Sequence, residues 1–293
     1  MVREPKARLL WSAIAVCGLA LVCAQAAAGA EGFDTIAIDP GHGGDDAGAR
    51  GASGHSEKDL VLDISRRLKR RLEARGLKVV LTRTGDRFLD LAARPALANA
   101  AHADLFLSIH ANAAASSRVV GVETFFLSLD ASDEASRLLA ERENRSGSQS
   151  AERGGVDPLE RLLHDLKQNE TLRESDVLAR YAEAELADLG PNPSRGVKQA
   201  PFAVLMGTRM PSVLVEVGFI SNPAEARSLA RPQRREAIAG ALARAVLAYG
   251  ARFDSRSEAG RHAREETGYD APAQRKAPAF RDRLLAVKEP GSR

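Results

Sequence analysis

Residues 33–44 read Phe-Asp-Thr-Ile-Ala-Ile-Asp-Pro-Gly-His-Gly-Gly. Thr35 to Ile38 is a short apolar strand, and Asp39-Pro40-Gly41 ends it. His42 then sits among glycines that let the backbone turn tightly. The apolar period changes just downstream. Ser56 and Asp59 form a capping-box pattern. Leu60, Val61, Ile64, Leu68 and Leu72 then fall on one helical face, and Gly76 stops the helix. Lys78 to Thr82 is a second strand, Leu89 to Ala101 a helix, Leu105 to Ile109 a third strand and Val122 to Leu127 a fourth.

Strands alternating with helices imply an α/β fold, a mostly parallel twisted sheet with helices on both faces, in a single catalytic domain. Ligands of such sheets gather at the carboxyl ends of the strands. His42 follows the first strand and His110 closes the third, so both are expected at one rim.

Outward from this frame the pattern changes. Residues 131–196 read as a helical insert within a domain spanning 33–252. A helix at Ser132 to Asn144 runs into Arg145-Ser-Gly-Ser-Gln-Ser, a flexible-looking stretch. Asp157-Pro158 starts a short helix with Leu159, Leu162, Leu163 and Leu166 on one stripe. A longer helix follows from Leu172 to Leu189, and Gly190-Pro191-Asn192-Pro193 stops it. Phe202 to Met206 and Val213 to Val217 read as strands, and 233–250 as the last helix. From Asp254 to 293 mixed charge and prolines predict a disordered tail.

The first thirty residues read as a signal peptide. Arg3, Lys6 and Arg8 precede an apolar run from Leu9 to Ala24, and small residues follow. A membrane anchor is the alternative, but the run is short for a span. Cys17 and Cys23, the only cysteines, lie in this leader, preceded by Val16 and Val22 where a lipoprotein signal wants Gly or Ala. The mature chain would thus hold no cysteine nucleophile or thiolate metal site, and no stable membrane span. The formal net charge is +3, with 42 basic and 39 acidic residues, and aromatics are 4%. That balance argues against nucleic acid as a partner.

Three candidate metal ligands stand out: His42, Glu57 and His110. Two imidazoles and a carboxylate form a recognised catalytic zinc set, although a histidine after a strand is more often structural. Glu216 lies inside an apolar strand, where an unpaired carboxylate is unfavourable. It is either a general acid/base or an interior glutamate paired with an arginine. Asn112 is a candidate for positioning substrate or the loop bearing His110. His55 is a surface-loop residue or a neighbour of Glu57; His102, His164 and His262 receive no role.

Four motifs occur in order: Ile36-Ala-Ile-Asp-Pro-Gly-His-Gly-Gly44, Glu57, Ser108-Ile-His-Ala-Asn112 and Val213-Leu-Val-Glu-Val-Gly-Phe-Ile-Ser-Asn222. Together with Leu81-Thr-Arg-Thr84 and Asp86-Arg87, they resemble the zinc-dependent N-acetylmuramoyl-L-alanine amidases of the Amidase_3 type. The resemblance covers about 33–252. It implies Zn2+ on His42, Glu57 and His110, Glu216 as the catalytic acid/base, peptidoglycan as substrate, and a periplasmic or otherwise exported site of action. A catalytically silent amidase-like binding module and a zinc peptidase acting on stem peptides remain alternatives. Larger division amidases of this family carry an N-terminal β-rich targeting domain; here the catalytic motif begins soon after the leader, so recruitment through such a domain is not expected. In some members an insert blocks the zinc until an activator of the degenerate LytM type displaces it. The stripe at Pro158 to Lys167 suggests such a helix, with Glu152 or Glu160 as the blocking acid, or else permanent structure.

Overall fold

The computed structural model describes residues 32–51, 54–146, 169–190 and 193–267. A six-stranded sheet organises them: β1 (Thr35–Pro40), β2 (Lys78–Leu81), β3 (Leu105–Asn112), β4 (Val122–Leu127), β5 (Ser194–Ala200) and β6 (Ser212–Phe219). The helices are α1 (Glu57–Glu73), α2 (Ala93–Ala100), α3 (Glu134–Ser146), α4 (Asn169–Ala187), α5 (Pro223–Ala230) and α6 (Pro232–Thr267).

The strand order is β2-β1-β3-β6-β4-β5. β2, β1, β3 and β6 run parallel, β4 is antiparallel to β6, and β5 is parallel to β4. The expected mostly parallel α/β sheet is therefore present. The reversal of β4 matters for the site. It brings the start of β4, with Glu123, to the rim where β3 and β6 end.

The central strands β1, β3 and β6 are buried along their whole length, which is why they read as near-continuous apolar runs. One sheet face packs Ile36, Leu107 and Val215 in a core with Ile64 and Leu68 of α1, Leu178 of α4 and Leu242 of α6. The other packs Phe106, Phe125 and Leu214 in a core with Ala98 of α2, Leu139 and Ala140 of α3, and Phe202.

Several sequence expectations need correction. Phe202 to Met206 is not a strand; Ala203–Leu205 is a 3-10 turn buried under the second face, with Phe202 edge-on to Phe125 at 5.1 Å. A short apolar run does not separate a strand from a buried turn by periodicity. The true strand is β5, whose polar sequence Ser-Arg-Gly-Val-Lys-Gln-Ala reflects its place at the sheet edge. The insert is narrower than 131–196, because α4 buries Leu178, Ala179, Ala182 and Leu186 in the main core. The helix α6 continues to Thr267, past Asp254 where disorder was expected. Residues 255–267 contain no proline, and the first one afterwards is Pro272. The catalytic unit ends at Phe253, and a second unit begins at Asp254. α5, unread in the sequence, is capped by the Asn222 side chain, which accepts from the N–H groups of Ala224 and Glu225. The leader, the helix at Pro158 to Lys167 and the acids Glu152 and Glu160 lie outside the described residues. No helix among the described residues is long and apolar enough to cross a membrane.

Candidate metal centre

The turn after β1 carries three consecutive left-handed residues, His42 (φ 58), Gly43 (φ 129) and Gly44 (φ 61). Two glycines make room for the ligands. A Cβ on Gly41 would meet the His110 ring at 2.5 Å, and one on Gly48 would meet both His42 Cδ2 and Glu57 Oε2 at 2.6 Å. Glu57 is the first residue of α1, so its side chain projects from the helix start toward the strand ends. His110 lies near the end of β3, register partner of Glu216 on β6.

The sequence-predicted ligands converge. Glu57 Oε1 lies 3.1 Å from His42 Nε2 and 3.1 Å from His110 Nδ1. The main-chain N–H of Ala111 donates to the same oxygen at 2.9 Å, and that of Ala49 donates to Oε2 at 2.9 Å. Asp46 Oδ2 meets His42 Nδ1 at 2.8 Å and so turns Nε2 inward.

A fourth group was missed by sequence reasoning. Glu143 of α3 places Oε2 3.3 Å from His42 Nε2 and 3.4 Å from His110 Nδ1. These separations suit a tetrahedral donor set. Ligands at about 2.0–2.1 Å from a central ion stand about 3.3–3.4 Å apart. Among the described residues, the buried atoms His42 Nε2, Glu143 Oε2 and both oxygens of Glu216 have no hydrogen-bond partner. Buried polar atoms are rarely left so, and the donor set therefore fits a divalent metal. A signal for Glu143 was present in the sequence. Ser136, Leu139, Ala140 and Glu143 follow the i, i+3, i+4, i+7 spacing, and all four are buried.

Charge is concentrated here. Burial works against a proton on His42, but the carboxylates of Glu57, Asp46 and Glu143 outweigh it and push its pKa up to about 11. A cation bound between them would take that proton's place. Burial also disfavours the Glu57 carboxylate, yet His42 and His110 hold it well below the usual range. Glu216 is fully buried. Burial first, then the charges of Glu57 and Glu143, push its carboxyl well above the ordinary range.

Asn112 is buried beside the centre and links two charged groups. Its Nδ2 donates to Glu123 Oε2 at 3.0 Å, and its Oδ1 accepts from Arg142 Nη2 at 3.2 Å. Glu123 stands opposite Glu216 in the β4–β6 register and accepts from Arg195 and Lys198 at 2.9 Å each. A shallow cleft lined by Phe88, Leu89, Leu91 and Val204 opens beside His42, His110, Glu143 and Asn144.

This fold and this site define an amidase class. Residues 36–248 match the Amidase_3 family, described as N-acetylmuramoyl-L-alanine amidase, and the chain belongs to that family. It is 38% identical over 225 residues to the N-acetylmuramoyl-L-alanine amidase AmiA of Salmonella typhimurium, covering 75% of this chain and 77% of that protein. It is likewise 38% identical over 229 residues to AmiA of Escherichia coli, covering 76% and 78%. Among solved structures, AmiC2 of Nostoc punctiforme superposes with a TM-score of 0.57 at 29% identity, covering 75% of this chain and 98% of that one.

Proposed function

We propose that this protein hydrolyses the amide bond between N-acetylmuramic acid and L-alanine of the peptidoglycan stem, with zinc held by His42, Glu57 and His110. The observation that carries the reading is the convergence of this trio beside Glu216, a fully buried carboxylate with neither oxygen partnered among the described residues. Bound there, zinc supplies Lewis-acid polarisation of the scissile carbonyl and lowers the pKa of a water molecule to about 7. Glu216 carries the proton. Its carboxylate takes one proton from the attacking water and delivers it to the alanine nitrogen as the C–N bond breaks. The products are a muramic acid carboxyl group and a stem peptide with a free amino terminus.

The structure in this reading is the closed form of the enzyme. Glu143 occupies the position that water or substrate needs, as a blocking acid on α3. A degenerate LytM-type activator would lift α3 from the site. Peptidoglycan lies outside the cytoplasmic membrane, so the reading requires export to the periplasm or cell wall. A catalytically silent module is disfavoured because all three ligands and the acid/base are present and converge.

The test is mass spectrometry of peptidoglycan digested with the purified protein. Free muramic termini and intact stem peptides are expected, abolished by a chelator and in His110→Ala. Cleavage within the stem peptides would instead identify a peptidase, and no cleavage under any activating condition would leave a binding module.

A further inference from the structure

Arg83 is a fully buried guanidinium that touches no carboxylate among the described residues. Its donors go to main-chain carbonyls: Nε to Pro40 at 2.9 Å, Nη1 to Gly85 at 3.2 Å, and Nη2 to both Gly41 at 2.7 Å and Lys58 at 2.9 Å. The last pair is informative. Gly41 immediately precedes His42, and Lys58 immediately follows Glu57. One nitrogen therefore ties together two segments that each present a candidate ligand, one from a strand-end turn and one from a helix start. A second guanidinium, Arg94, reinforces the turn. It donates to Pro40 O at 3.0 Å and His42 O at 3.0 Å, with Asp39 as its counter-charge at 2.8 Å.

The arrangement has an energetic reason. His42 is a non-glycine residue in the left-handed region, a conformation that persists only where the surroundings over-determine it. Burial lowers the Arg83 pKa to about 10, and the neighbouring Arg94 charge adds to that effect. A buried cation with no paired carboxylate is unfavourable for stability alone. A planar fork that binds several carbonyls at fixed angles is what a positional clamp requires, and lysine cannot reproduce it.

We propose that Arg83 is a positioning residue that sets the spacing of His42 and Glu57, and through it the affinity of the centre for its metal. The inference rests on the metal reading above. The test uses zinc affinity by competition with a chromophoric chelator, thermal melting, and amide exchange of Gly41 and Gly43 in the metal-free protein. The Gly41 amide donates to Ile109 O of β3 and the Gly43 amide to Asp46 O within the turn. Arg83→Lys keeps the charge but not the fork, and Arg83→Met removes both. Leu186→Ala, a core truncation in α4, is the stability control.

Arg83→Lys should bind zinc about 10–100-fold more weakly, the usual range for groups that orient metal ligands. Its Gly41 and Gly43 amides should exchange faster, and kcat at saturating zinc should fall with KM little changed. Leu186→Ala should lower the melting temperature at least as much and leave zinc affinity within about threefold of the parent, since it touches no group that orients a ligand. An Arg83→Lys protein with parental zinc affinity and parental exchange at Gly41 and Gly43 overturns the inference. So does failure of Arg83→Lys to fold while Leu186→Ala folds, because a positioning role requires a folded protein that binds weakly. Were the parent itself unable to bind zinc, the metal reading would fall, and the exchange measurement on the metal-free proteins would decide the clamp by itself.

Discussion

Oε2 of Glu143 stands 3.3 Å from Nε2 of His42, closer than the 3.4 Å that separates it from Nδ1 of His110. Both contacts lie beneath α3, whose Leu139 and Ala140 are packed in the second core. A carboxylate buried to this depth without a hydrogen bond to its Oε2 needs a counter-charge. The Arg142 guanidinium supplies it at Oε1, 3.1 Å away, and a metal at Oε2 would add to it.

Glu143→Ala should therefore raise basal turnover of the zinc-loaded enzyme by about tenfold or more. A closed state favoured by about 1.4 kcal/mol already lowers activity about tenfold. Steady-state hydrolysis of purified peptidoglycan is the measurement. Turnover at or below that of the parent, in a variant that holds one zinc, would show that Glu143 does not block the site.

This acid also marks where the sequence was readable and where it was not. β1, β3 and β6 were legible because burial on both faces leaves mostly apolar side chains along them. His110 and Glu216 stood out as candidate chemistry for the same reason, whereas Asp39 reads in the sequence only as part of the stretch that ends the first strand. β5 was hidden because an edge strand tolerates Arg195, Lys198 and Gln199. Glu143 was hidden among Glu141, Arg142 and Asn144, which make the end of α3 look solvated. Only its place in the stripe with Ser136, Leu139 and Ala140 distinguishes it, and that stripe needs the sheet face it packs on to become meaningful.

Glu216→Gln should keep its zinc, since Glu216 is not one of the three proposed ligands, and should lose activity. General acid/base groups contribute about 10²–10⁴-fold, and kcat should fall by that order. Elemental analysis and kinetics on the same sample decide the matter. Near-parental kcat would remove Glu216 from the proton path, and loss of zinc would make it a ligand instead.

Asp39→Asn should destabilise the fold by about 3–5 kcal/mol, because it strips the counter-charge from buried Arg94. Thr82 Oγ1 and Ser108 Oγ also donate to this carboxylate, at 2.5 and 2.8 Å. Burial opposes its charge, but Arg94 and these hydroxyls hold its pKa below the usual carboxylate range. The folded pKa is depressed, so the stabilisation is fully present above the unfolded value and is lost as the pH falls through the folded one. Denaturant melts at neutral pH should separate parent from variant, and the gap should narrow in strong acid. An equal gap at every pH would mean that the ionised carboxylate is not the stabilising form.

The last prediction concerns what keeps α3 closed. Asn144, next to Glu143, donates from Nδ2 to Pro201 O at 2.9 Å, and its Oδ1 accepts from the Ala203 N–H at 2.7 Å. On the other side of Glu143, Arg142 donates to Ala113 O and Asn112 Oδ1. Glu143 is thus flanked by two docking residues, one gripping the end of β3 and the other the 3-10 turn. Arg142 also acts on Glu216 electrostatically, so its removal would mix docking with chemistry. Asn144 offers the cleaner test. Asn144→Ala leaves a half-buried carbonyl and N–H without partners in the closed form and lets water satisfy them in the open one. A fully buried group so orphaned is worth about 1–3 kcal/mol, and these half-buried ones lie toward the low end. A shift of about 1.4 kcal/mol toward the open form raises basal turnover about tenfold while the closed form still dominates. The gain cannot exceed the fully open limit. Asn144→Ala combined with Glu143→Ala should therefore be no faster than Glu143→Ala alone, since both act by opening the same site. Rates that multiply in the double variant would show that Asn144 acts on the reaction by some route other than the docking of α3.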